Sequence, residues 1–141
     1  MATTRKAAAH WEGSLMEGKG EVAFNSSNLG TYPVTWAARS AEPNGVTSPE
    51  ELIAAAHSTC FSMALSHALA QAGNPADALD TAAEVDFQPG TGITAIRLNV
   101  RASVPGLTAE QFAEFAAKAK EGCPVSQALK AVPISLEAEL V

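Results

Sequence analysis

The chain holds two thiols, Cys60 and Cys123, in separated segments. A thiolate attacks electrophilic oxygen, sulfur or carbon, and it also binds soft metals. Cys60 stands near the centre of "SPEELIAAAHSTCFSMALSHALAQAG" and Cys123 in "EGCPVSQALK". Taken alone, Cys60 has two readings: an inert core cysteine, since cysteine is among the most buried residue types, or a nucleophile. Cys123 directly precedes Pro124 at a helix start, where free N–H groups and the positive dipole end stabilise a thiolate. Its other reading is a residue chosen for size. Local reasoning therefore nominates Cys123 over Cys60. His57, three residues before Cys60, is either a base to that thiol or a packing histidine. Zinc needs about four ligands at short spacing. His10, His67 and Cys123 are scattered, so no metal site is expected. A phosphate-cradling glycine loop, a nucleophile-elbow serine and an aromatic-plus-basic stripe are all missing.

These residues need elements to position them. "AAHWEGSL", "GEVAFNS" and "TYPVTWAA" predict a three-stranded antiparallel meander, with "MEGKG" and "SSNLG" as its turns. "RSAEPNGVTSPEE" then reads as a loop leading to the long helix. Ser48 caps that helix, Pro49 fills its first position, and Glu50 and Glu51 face the positive dipole end. Gly73-Asn74-Pro75 ends it about seven turns later. Helical spacing puts Ala56, Cys60, Met63, Ala64 and His67 on one face, with Ala54, Ala55, Ser58 and Ala68 allowing close approach of another helix. The central helix of the core is the expectation. "LDTAAEVDFQ" and "ITAIRLNVRASV" predict a hairpin through "PGTG". "TAEQFAEFAAKAK" is an amphipathic helix capped by Thr108 and stopped at Gly122. A short helix from Cys123-Pro124 to about Ala131 and the alternating strand "ISLEAEL" complete a βββ-α-ββ-α-α-β order. The class is α+β, in one domain over residues 1–141.

Composition narrows the function classes. At 141 residues, 47% hydrophobic and 17% charged, the chain suits a globular domain. A net charge of −6 without a Lys/Arg run argues against nucleic acid or an anionic membrane as partner. No apolar stretch is expected to reach the roughly 20 residues of a membrane span, because Ser, His and Gln interrupt the long helix. "MATTRKAAAHWEGS" lacks the long apolar core of a secretory signal, so the expected address is cytoplasmic. There, two lone cysteines suit free, catalytic or redox-active thiols better than a permanent disulfide.

At "AHWEGSLMEGKGEV", "SPEELIAAAHSTCFSMAL" and "KAKEGCPVSQALKA" the sequence resembles the OsmC/Ohr family of osmotically inducible and organic hydroperoxide resistance proteins. The likeness runs along essentially the whole chain and looks like the OsmC branch. It implies an OsmC-like α+β fold, with antiparallel sheets and a long central helix, in an intertwined homodimer. It also implies a cysteine-based peroxidase reducing organic hydroperoxides to alcohols. Carried over by motif, Cys60 matches the peroxidatic cysteine and Cys123 the resolving one. Arg39 matches the arginine before the long helix, and Glu50 the glutamate that pairs with it. The implied chemistry is attack by a Cys60 thiolate, activated by Arg39, followed by condensation of the sulfenic acid with Cys123. No bound cofactor or metal is implied, only an external dithiol reductant, with dihydrolipoyl groups suggested by the Ohr branch.

Glu50 lies ten residues before Cys60 on one helix, about 15 Å along the axis. A glutamate cannot span that distance, and "ELIAAAHSTC" holds no helix breaker. The expected assembly is a homodimer with composite sites at the interface, where one chain gives Cys60 and Cys123 and the other Glu50, with Arg39. Phe61, Met63, Phe112 and Phe115 are the expected lining of an apolar mouth suited to bulky hydroperoxides. Two other classes stay open: a thiol–disulfide oxidoreductase, although C-x-x-C is absent, and a peroxide-sensing binding module with structural cysteines.

Overall fold

A computed structural model describes residues 1–141. The chain divides into two compact units, Met1–Leu52 and Ile53–Val141, and one helix runs through the division.

The first unit opens with the expected meander: β1 (Ala8–Glu12), β2 (Lys19–Ala23) and β3 (Thr31–Val34), antiparallel and in sequential order. Gly20 lies opposite Trp11, and a Cβ there would run into the indole ring and the His10 carbonyl. Glycine thus lets Trp11 lie across β2. The third strand is shorter than "TYPVTWAA" suggests. Thr35 takes an extended conformation and its hydroxyl accepts the Ala38 N–H at 3.1 Å, which starts helix α1 (Trp36–Ser40). Arg39 therefore sits in the last turn of a helix rather than in the loop. A parallel bridge from Val34 to Thr47 returns the chain to the start of α2 (Pro49–Gln71).

Helix α2 is bounded as its sequence predicts. The Ser48 hydroxyl accepts the Glu51 N–H, and its carbonyl accepts from Leu52. At the other end Gly73, at φ 83°, and Asn74 donate to Ala70 and Leu69, a Schellman close. The face directed to the core differs from the one expected. His57, Phe61, Leu65 and Leu69 are fully buried, whereas Ala56, Met63 and His67 are exposed. The larger side chains decide the matter, because each removes more apolar surface from water than alanine does. By length and composition α2 is also apolar enough to cross a membrane, with mean hydropathy 1.3, contrary to the expectation that no stretch would be. Its Phe61, Leu65 and Leu69 row packs into the core of the second unit.

The second unit continues with β4 (Ala78–Gln88) and β5 (Gly92–Ser103), the expected hairpin. Helix α3 (Ala109–Gly122) begins in a full capping box between Thr108 and Gln111. Helix α4 (Pro124–Ala128) is shorter than predicted, and β6 (Ile134–Leu140) follows. The sheet order is β4-β5-β6, with β6 parallel to β5 rather than antiparallel. The chain passes through α3 and α4 between them, and such a crossover returns it in the same direction. Leu98, Val100 and Ala102 of β5 pack with Phe112, Ala116 and Ala119 of α3 and the α2 row, and Cys123 is part of this core. Arg97 and Arg101 of β5 face outward and pair with Glu84, Asp86 and Glu139, exposed ion pairs that contribute little stability.

Candidate active site

In the first unit, α1 and the first turn of α2 bring Arg39 and Glu50 together. Arg39 Nε donates to both Glu50 oxygens at 2.9 and 3.2 Å, and a second guanidinium nitrogen lies 2.9 Å from Oε1. Glu50 is buried, while about a third of Arg39 (31%) stays exposed. This two-point grip fixes the plane of the guanidinium. Beside it lies a cup of about 310 Å³, lined by Trp11, Leu15, Val22, Trp36, Leu52 and Arg39 among others. One cation in an aliphatic and aromatic wall suits a molecule with a polar head and an apolar body. The expected apolar lining was drawn from other residues. Phe61 and Phe112 are fully buried in the core, Phe115 is half-buried and Met63 is 68% exposed.

In the second unit the two cysteines meet. Helix α2 carries Cys60 to the edge of the core, and Cys123 is buried at the junction of α3 and α4. Both are free thiols, and each lies near enough to the other to shift its acidity. Their acidities diverge. Burial, then the Cys123 sulfur, push the Cys60 thiol up, and the Val125 N–H only partly offsets them. Burial also pushes Cys123 up, but the N–H groups of Ser126 and Val125, the Cys60 thiol and the Ser126 hydroxyl outweigh it and hold Cys123 below the ordinary thiol range. Cys123 is thus the more acidic thiol, as its position before Pro124 suggests.

His57 makes its hydrogen bond to Ser126 rather than to Cys60. Its Nε2 lies 2.7 Å from the Ser126 Oγ of α4, and both residues are buried. Ser126 is the site residue that sequence reasoning missed. Its one available signal was the Cys-x-x-Ser spacing, which returns Ser126 to the Cys123 side of a helical turn. Burial holds the His57 pKa below its ordinary value. The unfolded chain therefore takes up a proton below about pH 6.5 that the folded chain resists, so stability is full above that pH and falls on acidification. Thermal melts between pH 7.5 and 5 should show this fall, and His57→Gln should flatten it. An unchanged acid limb would show that His57 does not set it.

The second unit thus holds two neighbouring thiols, one acidified, and the first unit holds a guanidinium gripped by a buried carboxylate. A match to the family described as OsmC-like protein spans residues 42–137, which takes in Glu50, His57, Cys60, Cys123 and Ser126. The chain belongs to the OsmC-like family. Its full length also aligns with relatives in the OsmC branch. The protein named Peroxiredoxin OsmC from Escherichia coli (strain K12) is 45% identical over 143 residues, covering 99% of each chain, and that from Shigella flexneri matches equally. An organic hydroperoxide resistance protein OsmC from Legionella pneumophila has a similar crystal structure, with TM-score 0.72 and 25% identity over 99% of this chain and 98% of that one. The organic hydroperoxide resistance protein OhrB of Bacillus subtilis shares the fold, with TM-score 0.67 and 22% identity over 96% of this chain and 98% of that one. These likenesses establish the OsmC-like α+β fold.

Proposed function

We propose that this OsmC-like chain is a cysteine-based peroxidase that reduces organic hydroperoxides to alcohols. The observation that carries the reading is the meeting of two free thiols from distant parts of the sequence, beside the full-length likeness to Peroxiredoxin OsmC. The Cys60 thiolate attacks the distal peroxide oxygen. The O–O bond breaks, the alkoxide leaves and takes up a proton as the alcohol, and Cys60 becomes a sulfenic acid. Cys123 then displaces the hydroxyl as water and forms the Cys60–Cys123 disulfide. An external dithiol, of which dihydrolipoyl groups are the favoured class, reopens it by thiol–disulfide exchange. Two free cysteines are the resting state that a reducing cytoplasm would keep.

Cys60 needs a positive charge to ionise, since burial and Cys123 act against it. Arg39, held by Glu50, is the proposed source, and the partner subunit of a homodimer supplies it. Two facts support this. Helix α2 runs unbroken from Pro49 to Gln71, so Glu50 stays about 15 Å along the axis from the Cys60 of its own chain. The Ala55, Ala56 and Met63 face of α2 is exposed in the single chain, an apolar surface that a second copy would cover.

The apolar cup beside Arg39 favours alkyl and fatty-acid hydroperoxides over hydrogen peroxide. Measured with one dithiol donor, kcat/KM for cumene hydroperoxide should exceed that for hydrogen peroxide by about tenfold or more, given the few kcal/mol a buried hydrocarbon contributes. Equal values, or a preference for hydrogen peroxide, would contradict the substrate class. No consumption of either peroxide would contradict the peroxidase.

A further inference from the structure

Both tryptophans of the chain, Trp11 and Trp36, line the cup beside Arg39. All the residues that line it come from the first unit, so one chain builds it. Trp36 and Arg39 stand three residues apart on α1 and share a face of that helix. Trp11 comes from β1, and the backbone beneath it is cleared to receive it. A Cβ at Gly18 would come within 2.9 Å of the indole Nε1, and one at Gly20 within 2.7 Å of Cε3. Nε1 belongs to the five-membered ring and Cε3 to the six-membered one. Two glycines on either side of Lys19 thus make room for the two ends of a single indole. The ring's N–H donates to the Gly13 carbonyl at 3.2 Å, which sets the way the five-membered edge faces.

An aromatic ring lying across a glycine of the neighbouring strand also steadies a hairpin. That role is complete once the ring covers the glycine. Trp11 goes further: it remains 39% exposed and forms part of the cup wall. A wall already held in place loses little side-chain freedom when a ligand arrives, so more of the contact energy appears as binding. Its flat face also has a preference. Aromatic rings gain from offset-stacked or edge-to-face contact beyond the area they bury, and a saturated ring of the same carbon skeleton lacks that gain.

We propose that Trp11 is a specificity-determining residue: seated on Gly18 and Gly20, its indole selects hydroperoxides whose tail carries an aromatic ring over saturated tails of the same size. The hydroperoxyl group lies toward Arg39 and the ring of the tail against Trp11. The inference rests on the peroxidase reading and names the tail class within it. The other apolar walls, among them Leu15, Val22 and Leu52, accept either kind of tail by area alone. The distinction between the two therefore falls to the indoles, and Trp11 is the one the glycines hold in place.

Two measurements test this on the full-length protein. The first compares kcat/KM for cumene hydroperoxide with that for its cyclohexyl counterpart, in which the phenyl ring is saturated. The quotient is taken within one preparation, so any loss of folded protein cancels. Wild type should prefer the phenyl compound by about twofold to tenfold, the gain of an aromatic pair. Trp11→Leu, apolar but not aromatic, should remove most of that preference, and Trp11→Phe should keep most of it. No preference in wild type, or the same preference in Trp11→Leu, would overturn the proposal. The second measurement uses no peroxide. In Trp36→Phe, where Trp11 is the one remaining tryptophan, its emission is titrated with cumyl alcohol, the reduced product, and with the cyclohexyl alcohol. A saturable change is expected, with cumyl alcohol binding about twofold to tenfold tighter. Emission that does not respond, or equal binding of the two alcohols, would overturn the proposal. If wild type consumes neither hydroperoxide while cumyl alcohol still binds preferentially, the peroxidase reading fails and the ring-selecting role of Trp11 stands.

Discussion

Replacing Cys60 with serine should abolish hydroperoxide reduction, lowering kcat/KM by at least about a thousandfold, or roughly 4 kcal/mol of transition-state stabilisation. An alcohol at this site remains protonated at neutral pH, and no neighbouring base is placed to change that. His57, the only histidine one turn away, is bonded to Ser126. Cys123→Ser should fail differently. Cys60 still reacts, so one equivalent of peroxide per chain is consumed before turnover stops. With excess peroxide the unresolved sulfenic acid proceeds to sulfinic acid, visible as a gain of two oxygen atoms in the intact mass. Peroxide consumption against time, with intact mass at each point, separates the two variants. Equal behaviour would mean that the thiols do not have distinct roles. A surviving Cys60→Ser enzyme, with Cys123 as its remaining thiol, would mean that the more acidic cysteine is the nucleophile.

The second large effect concerns Arg39 and Glu50. Arg39→Ala removes the cation assigned to the Cys60 thiolate and the peroxide oxygen, and should cost about a hundredfold or more in kcat/KM, the scale for losing one charge-stabilising donor. It also strands the buried Glu50 carboxylate. Breaking a fully buried pair costs about 3–5 kcal/mol, but Arg39 is 31% exposed and solvent moderates the loss to about 2 kcal/mol. Arg39→Lys should restore charge without the two-point grip and recover only part of the activity. Complementation tests which chain supplies the pair. A Cys60→Ser chain and a Glu50→Ala chain, each inactive as a homodimer, should regain activity when mixed. Random assortment gives about a quarter of the wild-type sites, since half the dimers are mixed and each holds one intact site. Mixed dimers that form but stay inactive would place the carboxylate in the same chain as its cysteine.

Much of this arrangement is legible in the sequence, and the exceptions share a physical cause. Elements defined by local rules appear where expected: the Ser48-Pro49 start and Gly73 end of α2, the Thr108 capping box, and the hairpin through "PGTG". Helix α1 was hidden because Thr35 lies in a run of strand-like residues, where its capping role competes with strand propensity. The parallel pairing of β6 with β5 depends on which distant strand is available, and an alternating pattern does not encode that. The buried face of α2 differs from the expected one because alanine surrounds the helix, so periodicity selects no side. The volumes of Phe61, Leu65 and Leu69 settle it only once β5 and α3 pack against them.

The site divides the same way. The Arg39–Glu50 pairing and the two cysteines came from motif resemblance, and the structure brings the members of each pair together. Ser126 carried no signal beyond its spacing from Cys123, since its partner His57 is 69 positions away. Side chains joined by tertiary contact alone lie outside what short-range pattern can reveal. The acidity of the cysteines is intermediate: the helix start favours Cys123 in the sequence, but the rise at Cys60 follows from burial and from the second sulfur.

Peptide mapping by mass spectrometry after one equivalent of organic hydroperoxide, with no reductant present, tests the central claim most directly. The prediction is a loss of two hydrogen masses that maps to a Cys60–Cys123 linked peptide within a single chain, and that disappears in either Cys→Ser variant. Two thiols that remain free while the hydroperoxide stays unconsumed, or a linkage that joins different chains only, would contradict it.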